Sequence, residues 1–190
     1  MNHTMIYGTP QKGDDGFYHA KVRTDDNKRC YVQVKNLKVV DVSSEVTFDL
    51  TDAKGLDKIE NIHANNIRSA AENSLTWFGK NLQEKAIEKI YTKEDTLSAE
   101  RISATKVFDS RKELVDFEVL TPGTECSVML EYSGLWFAKK AFGPTWNLVQ
   151  VKINPPPTPE PEPEPEPEPT PDPEPEIEAY PDDFVMEDDE

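Results

Sequence analysis

The last 37 residues constrain the folding of this chain more than any other segment. From Asn154 to Glu190, 13 of 37 residues are proline, mostly alternating with Glu or Asp, and 15 are acidic. Proline fixes φ, neighbouring charges repel one another, and few apolar side chains are available for burial. We therefore expect a disordered acidic tail whose Pro/Glu spacer, residues 154–176, is extended. At roughly 3.1 Å per residue, polyproline II geometry gives the segment from Pro155 to Glu176 a length of about 70 Å.

The composition changes again at residues 177–190, which read IEAYPDDFVMEDDE. Aromatic residues stand among acids here, whereas a tail that only improves solubility needs no aromatic residues. We expect a short motif that docks onto partners, although a merely solubilising segment is the alternative. The docking residues that this pattern predicts are Tyr180, Asp182, Asp183 and Phe184.

Charge is distributed unevenly over the 190 residues. The chain has 21 Lys and Arg and 37 Asp and Glu, a formal net charge of −16. Since 15 of the acids and none of the bases lie beyond Ile153, residues 1–153 hold 22 acids against 21 bases. We expect this nearly neutral part to form one domain with a modest core.

Several classes of protein find no support in the sequence. There is no apolar stretch long enough to span a membrane, and the start does not resemble a signal peptide, so we expect a soluble intracellular protein. Cys30 and Cys126 are 96 positions apart, and the three histidines lack metal-ligand spacing. Phosphate-binding loops and CxxC motifs are absent from the chain. We expect no enzymatic activity, no cofactor and no bound metal.

Apolar periodicity predicts strands, then helices, then strands. Alternation over residues 17–23 and 29–35 predicts a β-hairpin, followed by a third strand at 46–50. A helical period runs from about Leu56 to Tyr91, and strand patterns return at 105–108, 114–120, 125–132 and in a closing hairpin at 133–153. This order predicts a mainly β protein with a helical insert, an OB-fold-like five-stranded barrel. A generic α+β sandwich is the alternative.

Two rows of outward-facing residues combine cations with aromatic rings. Sites for single-stranded nucleic acid need a basic groove along the backbone and rings on which bases stack. The first row predicts contacts by Lys21, Arg23, Arg29, Tyr31 and Lys35, and the closing hairpin adds Trp136, Lys139, Lys140, Trp146 and Lys152. In the final strand we expect Val149, Val151 and Ile153 to face inward, and Trp146, Leu148, Gln150 and Lys152 to face outward.

Four segments together resemble a known family. They are GFYHAKVRTDDNKRCYVQVKNLKV, AENSLTWFGKNLQEKAIEKIY, VLTPGTECSVML and SGLWFAKKAFGPTWNLVQVKI. Their order and spacing resemble the single-stranded-DNA-binding proteins of nucleocytoplasmic large DNA viruses, and the tail resembles the acidic, aromatic-tipped C-termini of phage replication proteins. The resemblance implies an OB-fold protein that coats exposed strands during replication or recombination, in the host nucleus or a cytoplasmic virus factory.

The charge split suggests a role for the tail. We expect the acidic tail to compete with DNA for the basic residues and, once released, to recruit a polymerase, helicase or primase. The chain could also form homo-oligomers. An acidic-tailed chaperone or virion scaffold that binds basic proteins is the alternative function. Stacking and phosphate contacts serve RNA as well as DNA, so the sequence leaves that preference open.

Overall fold

The computed structural model describes residues 4–156. Residues 1–3 and 157–190 lie outside the described part, and so do the predicted docking residues Tyr180, Asp182, Asp183 and Phe184. The strands are β1 (Met5–Tyr7), β2 (Gln11–Lys12), β3 (Tyr18–Thr24), β4 (Cys30–Val42), β5 (Glu45–Asp49), β6 (Thr96–Phe108), β7 (Leu114–Val115), β8 (Glu125–Phe137) and β9 (Phe142–Ile153). The helices are α1 (Asp57–Glu72), α2 (Ser74–Phe78) and α3 (Glu84–Ile90), with a 3-10 turn at Phe117–Val119. None of the described helices is long and apolar enough to cross a membrane.

Five of the strands close into a ring. β4 pairs with β5, β5 with β6, β6 with β9, β9 with β8, and β8 again with β4. All these pairs are antiparallel except β6 with β9, which is parallel. The alternating apolar residues of the ring fill its interior, among them Val32, Val34, Phe48, Val128 and Leu148. The predicted fold class, a mainly β OB-like barrel with a helical insert, is confirmed.

The helical insert lies between β5 and β6 and forms a second, smaller core. In α1, the buried residues Ile59, Ile62, Asn66 and Ala70 follow the spacing of one helix face. Ile59 and Ile62 join the barrel core, and Ala70 joins the second core. α2 ends at Gly79, whose φ of 71° is the left-handed conformation that glycine adopts without strain. The insert packs on the far end of the β8–β9 hairpin, where the second core contains Ala20, Ala70, Ile87, Tyr91, Leu135, Phe137 and Phe142.

A buried hydrogen-bond network joins the insert to the barrel. The hydroxyls of Tyr7 and Tyr132 each donate to Oδ1 of Asn66, both at 2.6 Å, and Nδ2 of Asn66 donates to the Tyr91 hydroxyl at 2.9 Å. The ring of His63 also bonds the Tyr91 hydroxyl, at 2.6 Å. Burial raises the pKa of Tyr7 to about 12 and holds the pKa of Tyr132 well above its ordinary value. The hydroxyls therefore stay neutral and remain donors.

The predicted hairpin of residues 17–35 is wrong. β9 pairs along one edge of β8 from Cys126 to Phe137, so β3 and β4 must share the opposite edge. Both are antiparallel to β8, which means that they run in the same direction, one after the other. The change of partner falls at Gly134, with φ 153°, where an added Cβ would lie 1.9 Å from the carbonyl oxygen of Ala20. β3 is therefore outside the ring, and β4 is the first ring strand.

The prediction of which β9 residues face inward and which face outward is correct for only part of the strand. Leu148 pairs with Leu130 and Gln150 with Met129, so Val149 is an extra residue, a β-bulge. A bulge reverses which face each residue N-terminal to it occupies. Val151 faces inward as predicted, but Trp146 and Leu148 are buried in the core instead of facing outward. Trp146 packs against Tyr132, with ring centroids 5.2 Å apart.

Candidate nucleic-acid interface

One side of β3, β4, β8 and β9 faces away from both cores, and we call it the outer face. Its register is set by the pairs of His19 with Trp136, Lys21 with Gly134, and Tyr31 with Glu131. From Ser127 to Trp136, nine steps along β8, it extends about 30 Å at roughly 3.3 Å per residue. Its other members are Phe17, Arg23, Arg29, Gln33, Met129, Thr145, Asn147, Gln150 and Lys152.

Aromatic rings are exposed along this face. Phe17 and Tyr31 expose 45% and 48% of their surfaces. The rings of Phe17 and Trp136 meet edge to face, with centroids 6.3 Å apart. A Cβ at position 143 would lie 3.1 Å from the indole, so Gly143 lets Trp136 lie close against β9. The ring of Trp136 is thereby held in place, half-buried, beside the exposed Phe17.

Two arginines are held over the middle of the outer face by one carboxylate. Glu131 is only 4% exposed, and its oxygens lie 3.8 Å from Nη1 of Arg23 and 3.4 Å from Nη1 of Arg29. Asn147 also donates to Glu131, at 3.4 Å. A buried carboxylate is retained where charge partners compensate its desolvation. Two guanidinium groups and one carboxylate leave a surplus positive charge, on arginine side chains that remain 41% and 57% exposed.

Polar atoms without partners also lie on this face. Within residues 4–156, the buried side-chain atoms that lack a hydrogen bond are Nε2 of Gln33, Oγ1 of Thr145 and Oε1 of Gln150. Gln33 and Gln150 flank Met129 from the two neighbouring strands, and Thr145 is opposite Gly134. Buried polar atoms are normally paired, because an unmade hydrogen bond is costly. Each of the three therefore has an unmet hydrogen bond, although neighbouring groups cover the atom itself.

The structure brings most of the predicted site residues together. Lys21, Arg23, Arg29 and Tyr31 share the outer face, as the alternation predicts, and Trp136 lies on the same face opposite His19. Lys152 is opposite Ser127, at the end of β8 away from the helical insert. Lys35 lies in the β4 bulge opposite the same serine. Lys139 and Lys140 are in the turn between β8 and β9, where both are exposed. The exception is Trp146, which is 5% exposed and has no free ring face for a base.

A groove opens beside that turn, between the hairpin tip and the helical insert, and we call it the lysine groove. Its volume is about 950 Å³. The four lysines along its walls are Lys12, Lys80, Lys139 and Lys140, and its described lining includes no Asp or Glu. Its apolar lining includes Tyr18, Trp77, Phe78, Leu82, Ile90 and Phe137.

Sequence reasoning missed most of this groove. Alternation places Tyr18 on the inner face of β3, where a core residue is expected. The barrel does not extend that far, so Tyr18 is 49% exposed and lines the groove instead. Trp77 and Phe78 lie on the apolar stripe of the helix and do pack on Phe137, with centroids 5.6 and 5.8 Å away, but their other sides reach the groove. Lys12 and Lys80 carry no sequence signal that connects them.

β5 and β6, the second and third ring strands, differ from the outer face in the charge of their outward residues. Their outward residues include Glu45 directly opposite Glu100, and Asp49 opposite Thr96. Between these pairs, the hydroxyls of Thr47 and Ser98 hydrogen-bond each other at 2.9 Å. An OB fold generally binds oligonucleotides on this face. Here these outward positions carry carboxylates and hydroxyls. Within residues 4–156 no cluster of His, Cys, Asp and Glu could hold a metal ion.

Comparison with known proteins gives a family match and several similar structures, including three of one phage protein. The family model described as "Family of unknown function (DUF5871)" matches residues 35–165. No protein with a curated description matches the sequence. The chain is similar to three structures of the single-stranded DNA-binding protein from bacteriophage Enc34: a C-terminal truncation, a complex with ssDNA, and the protein itself.

The likeness to the phage structures is remote. The C-terminal truncation has 13% identity and a TM-score of 0.45, covering 83% of this chain and 98% of that one. The ssDNA complex has 13% identity and a TM-score of 0.42, covering 80% and 97%. The third has 14% identity and a TM-score of 0.45, covering 78% and 89%. Identity and TM-score at this level do not establish a function.

Proposed function

Because the chain belongs to the family of unknown function DUF5871, we propose its function from its own residues. We propose that it binds single-stranded DNA on the outer face, without sequence preference, in viral DNA replication or recombination. The observation that carries the proposal is the presence of exposed rings, surplus cations and unpartnered polar atoms on one side of one sheet. The phage proteins to which the chain is similar are named single-stranded DNA-binding proteins, but the proposal does not depend on them.

The chemistry of each group fits a single strand. Tyr31 and the Phe17–Trp136 pair offer ring surfaces to bases, which every base can use because each has a π-face. Arg23 and Arg29 are placed to contact phosphates, since the planar guanidinium group suits phosphate oxygens. Gln33 and Gln150 can turn their amides toward base edges or sugars, because Nε2 of the first and Oε1 of the second have no partner within the described part of the protein. Together these groups contact the base rings, phosphates and sugars that all single strands share. We therefore expect no sequence preference.

We propose that the tail is a second functional element. Its residues carry 15 acids and no base, so it is a polyanion linked to a cation-bearing domain. The domain over 1–153 would bind DNA, the spacer over 154–176 would give reach, and the tip over 177–190 would recruit replication proteins. DNA and tail would compete for the same cations, and DNA binding would release the tip.

The experiment is a fluorescence titration of labelled oligo-dT with the full chain at two salt concentrations. Loss of a stacking ring costs about 1–3 kcal/mol, so Tyr31→Ala should weaken binding roughly five- to 150-fold; Leu114→Ala, an exposed apolar residue on β7, is the control. Arg29→Gln should remove one phosphate contact, which lowers the salt slope by about 0.7 and the affinity about fivefold at 0.1 M salt. Arg111→Gln, an exposed arginine on the β6–β7 turn, should change neither.

The same titration tests the tail. A chain that ends at Asn154 should bind oligo-dT more tightly at low salt than the full chain does. Equal affinities would refute the competition, and equal effects of Tyr31→Ala and Leu114→Ala would refute binding on the outer face. If the alternative function is correct, neither chain binds oligo-dT, and removal of the tail abolishes binding to a basic protein such as a histone.

A further inference from the structure

We infer that the lysine groove is a second binding site for the same DNA strand, which leaves the outer face over Lys139 and Lys140 and continues between the hairpin tip and the helical insert. This inference rests on the proposed function. It adds a site built by the helical insert and β2, which are not part of the barrel.

The two surfaces meet at the hairpin tip. Successive residues of a strand face opposite sides, so Trp136 lies on the outer face while its neighbour Phe137 lines the groove. At the start of β3, likewise, Phe17 lies on the outer face and Tyr18 lines the groove. The Ala138–Ala141 turn therefore separates the two surfaces, and its two lysines are within reach of a backbone that passes from one to the other.

Charge points to a polyanion as the occupant. The lysines converge from three segments that are distant in sequence: Lys12 from β2, Lys80 from the loop after α2, and Lys139 and Lys140 from the β8–β9 turn. The described lining adds no carboxylate to neutralise them. Concave surfaces with one sign of charge raise the local concentration of the opposite charge. The carboxylates of Glu45 and Glu100, in contrast, lie out on the second and third ring strands.

The apolar lining points to bases as well as phosphates. Tyr18 is half-exposed at the groove wall. Trp77 is held between Tyr7 and Phe137, both with ring centroids 5.6 Å from its own, so the core fixes its orientation. Rings fixed from behind and open in front make a stacking surface that loses little entropy on binding. A nucleotide chain supplies both the flat rings and the negative charges that this lining complements.

The test uses the full chain with Lys12 and Lys80 both replaced by Gln. If each lysine contacts one phosphate, the salt slope for a long oligo-dT should fall by about 1.4, and the affinity at 0.1 M salt should fall roughly 25-fold. The matched control replaces Lys85 and Lys89 with Gln. Both lysines are exposed on α3, and neither lines the groove. It changes the net charge equally and should leave the slope unchanged. Circular dichroism confirms the fold of each variant.

Each other outcome overturns a specific claim. If Arg29→Gln weakens binding but the Lys12 and Lys80 variant does not, the groove is not a DNA site and the proposed function stands. Equal losses in the variant and its control indicate only long-range electrostatics and overturn the inference. If the variant strengthens DNA binding in the full chain and has no effect after truncation at Asn154, the groove holds the acidic tail instead of DNA. If no chain binds oligo-dT, both the inference and the proposed function fail.

Discussion

Replacement of Asn66 by Leu should loosen the attachment of the helical insert to the barrel. The Asn66 amide is 0% exposed and makes three hydrogen bonds, to the hydroxyls of Tyr7, Tyr91 and Tyr132. Leu has the same branching and the same number of side-chain heavy atoms as Asn, so no cavity opens for a water molecule that could replace the amide. The expected effect is therefore the loss of the hydrogen bonds themselves, partly offset by burial of an apolar side chain.

The magnitude follows from the three partners. Each hydrogen bond contributes about 1 kcal/mol to the free energy of unfolding, and a buried hydroxyl left without a partner costs a further 1–3 kcal/mol or so. Tyr91 keeps its bond to His63, and Tyr7 lies only partly buried, so this further cost falls mainly on Tyr132. Burial of the Leu side chain returns about 2 kcal/mol. The net loss should be about 3 kcal/mol, a large part of the roughly 5–15 kcal/mol that stabilises an ordinary domain.

Urea denaturation followed by tryptophan fluorescence measures this loss. A change of 1 kcal/mol shifts the Tm of a domain of this size by about 2–4 °C, so thermal unfolding should shift by roughly 6–12 °C. Asn61→Leu is the control, because Asn61 is exposed on the same helix and the substitution makes the same chemical change. If Asn66→Leu and Asn61→Leu destabilise the protein equally, the network does not hold the insert and the reasoning is wrong.

Two further predictions concern backbone geometry and pH. Gly134→Ala should force β3 away from β8, because its Cβ would meet the Ala20 carbonyl at 1.9 Å; we expect a loss of about 3 kcal/mol or more. Gly123→Ala, with φ 94° and no atom within 4 Å, should cost only the left-handed strain of about 1–2 kcal/mol, and similar losses at both sites would contradict the clash. Burial lowers the pKa of His63, so the unfolded state takes up its proton first. The free energy of unfolding should therefore decrease as the pH falls below about 6.5, and His63→Gln should flatten that decrease in urea titrations from pH 7.5 to 5.5.

Patterns such as hydrophobic alternation predict the structural features that depend only on residues close together in the chain. The alternation in 17–23 and 29–35 places Lys21, Arg23, Arg29 and Tyr31 on one side correctly, because the two-residue period of a strand holds whichever strand it pairs with. Pairing itself is not local. The two segments look like a hairpin, since a turn separates two alternating runs, yet both pair with β8 on the same edge. The residues of the turn between the two runs do not show whether the second run folds back to pair with the first or continues along β8 past Gly134.

A single inserted residue accounts for the error at Trp146. The alternation counted back from Ile153 is valid as far as Gln150, where it meets the bulge at Val149. Beyond the bulge each inward position becomes outward, and the ring of Trp146 enters the core. No glycine or proline marks the bulge, so the pattern carries no warning. The lysine groove was unpredictable for a different reason: its walls come from β2, the insert and the β8–β9 turn, and only the fold brings them together.

The distribution of carboxylates explains why binding should move from the second and third ring strands to the outer face. Glu45 and Glu100 are directly opposite each other, and like charges in that position repel both one another and a phosphate backbone. The outer face also contains a carboxylate, Glu131, but there it is buried beneath two arginines and presents their cations instead of its own charge. Under the proposed function, the same residue type repels a DNA strand where it is exposed and positions the groups that attract one where it is buried. Glu131→Gln should accordingly weaken oligo-dT binding although it makes the outer face more positive, because it frees Arg23 and Arg29 from their fixed positions; stronger binding would mean that charge alone decides affinity.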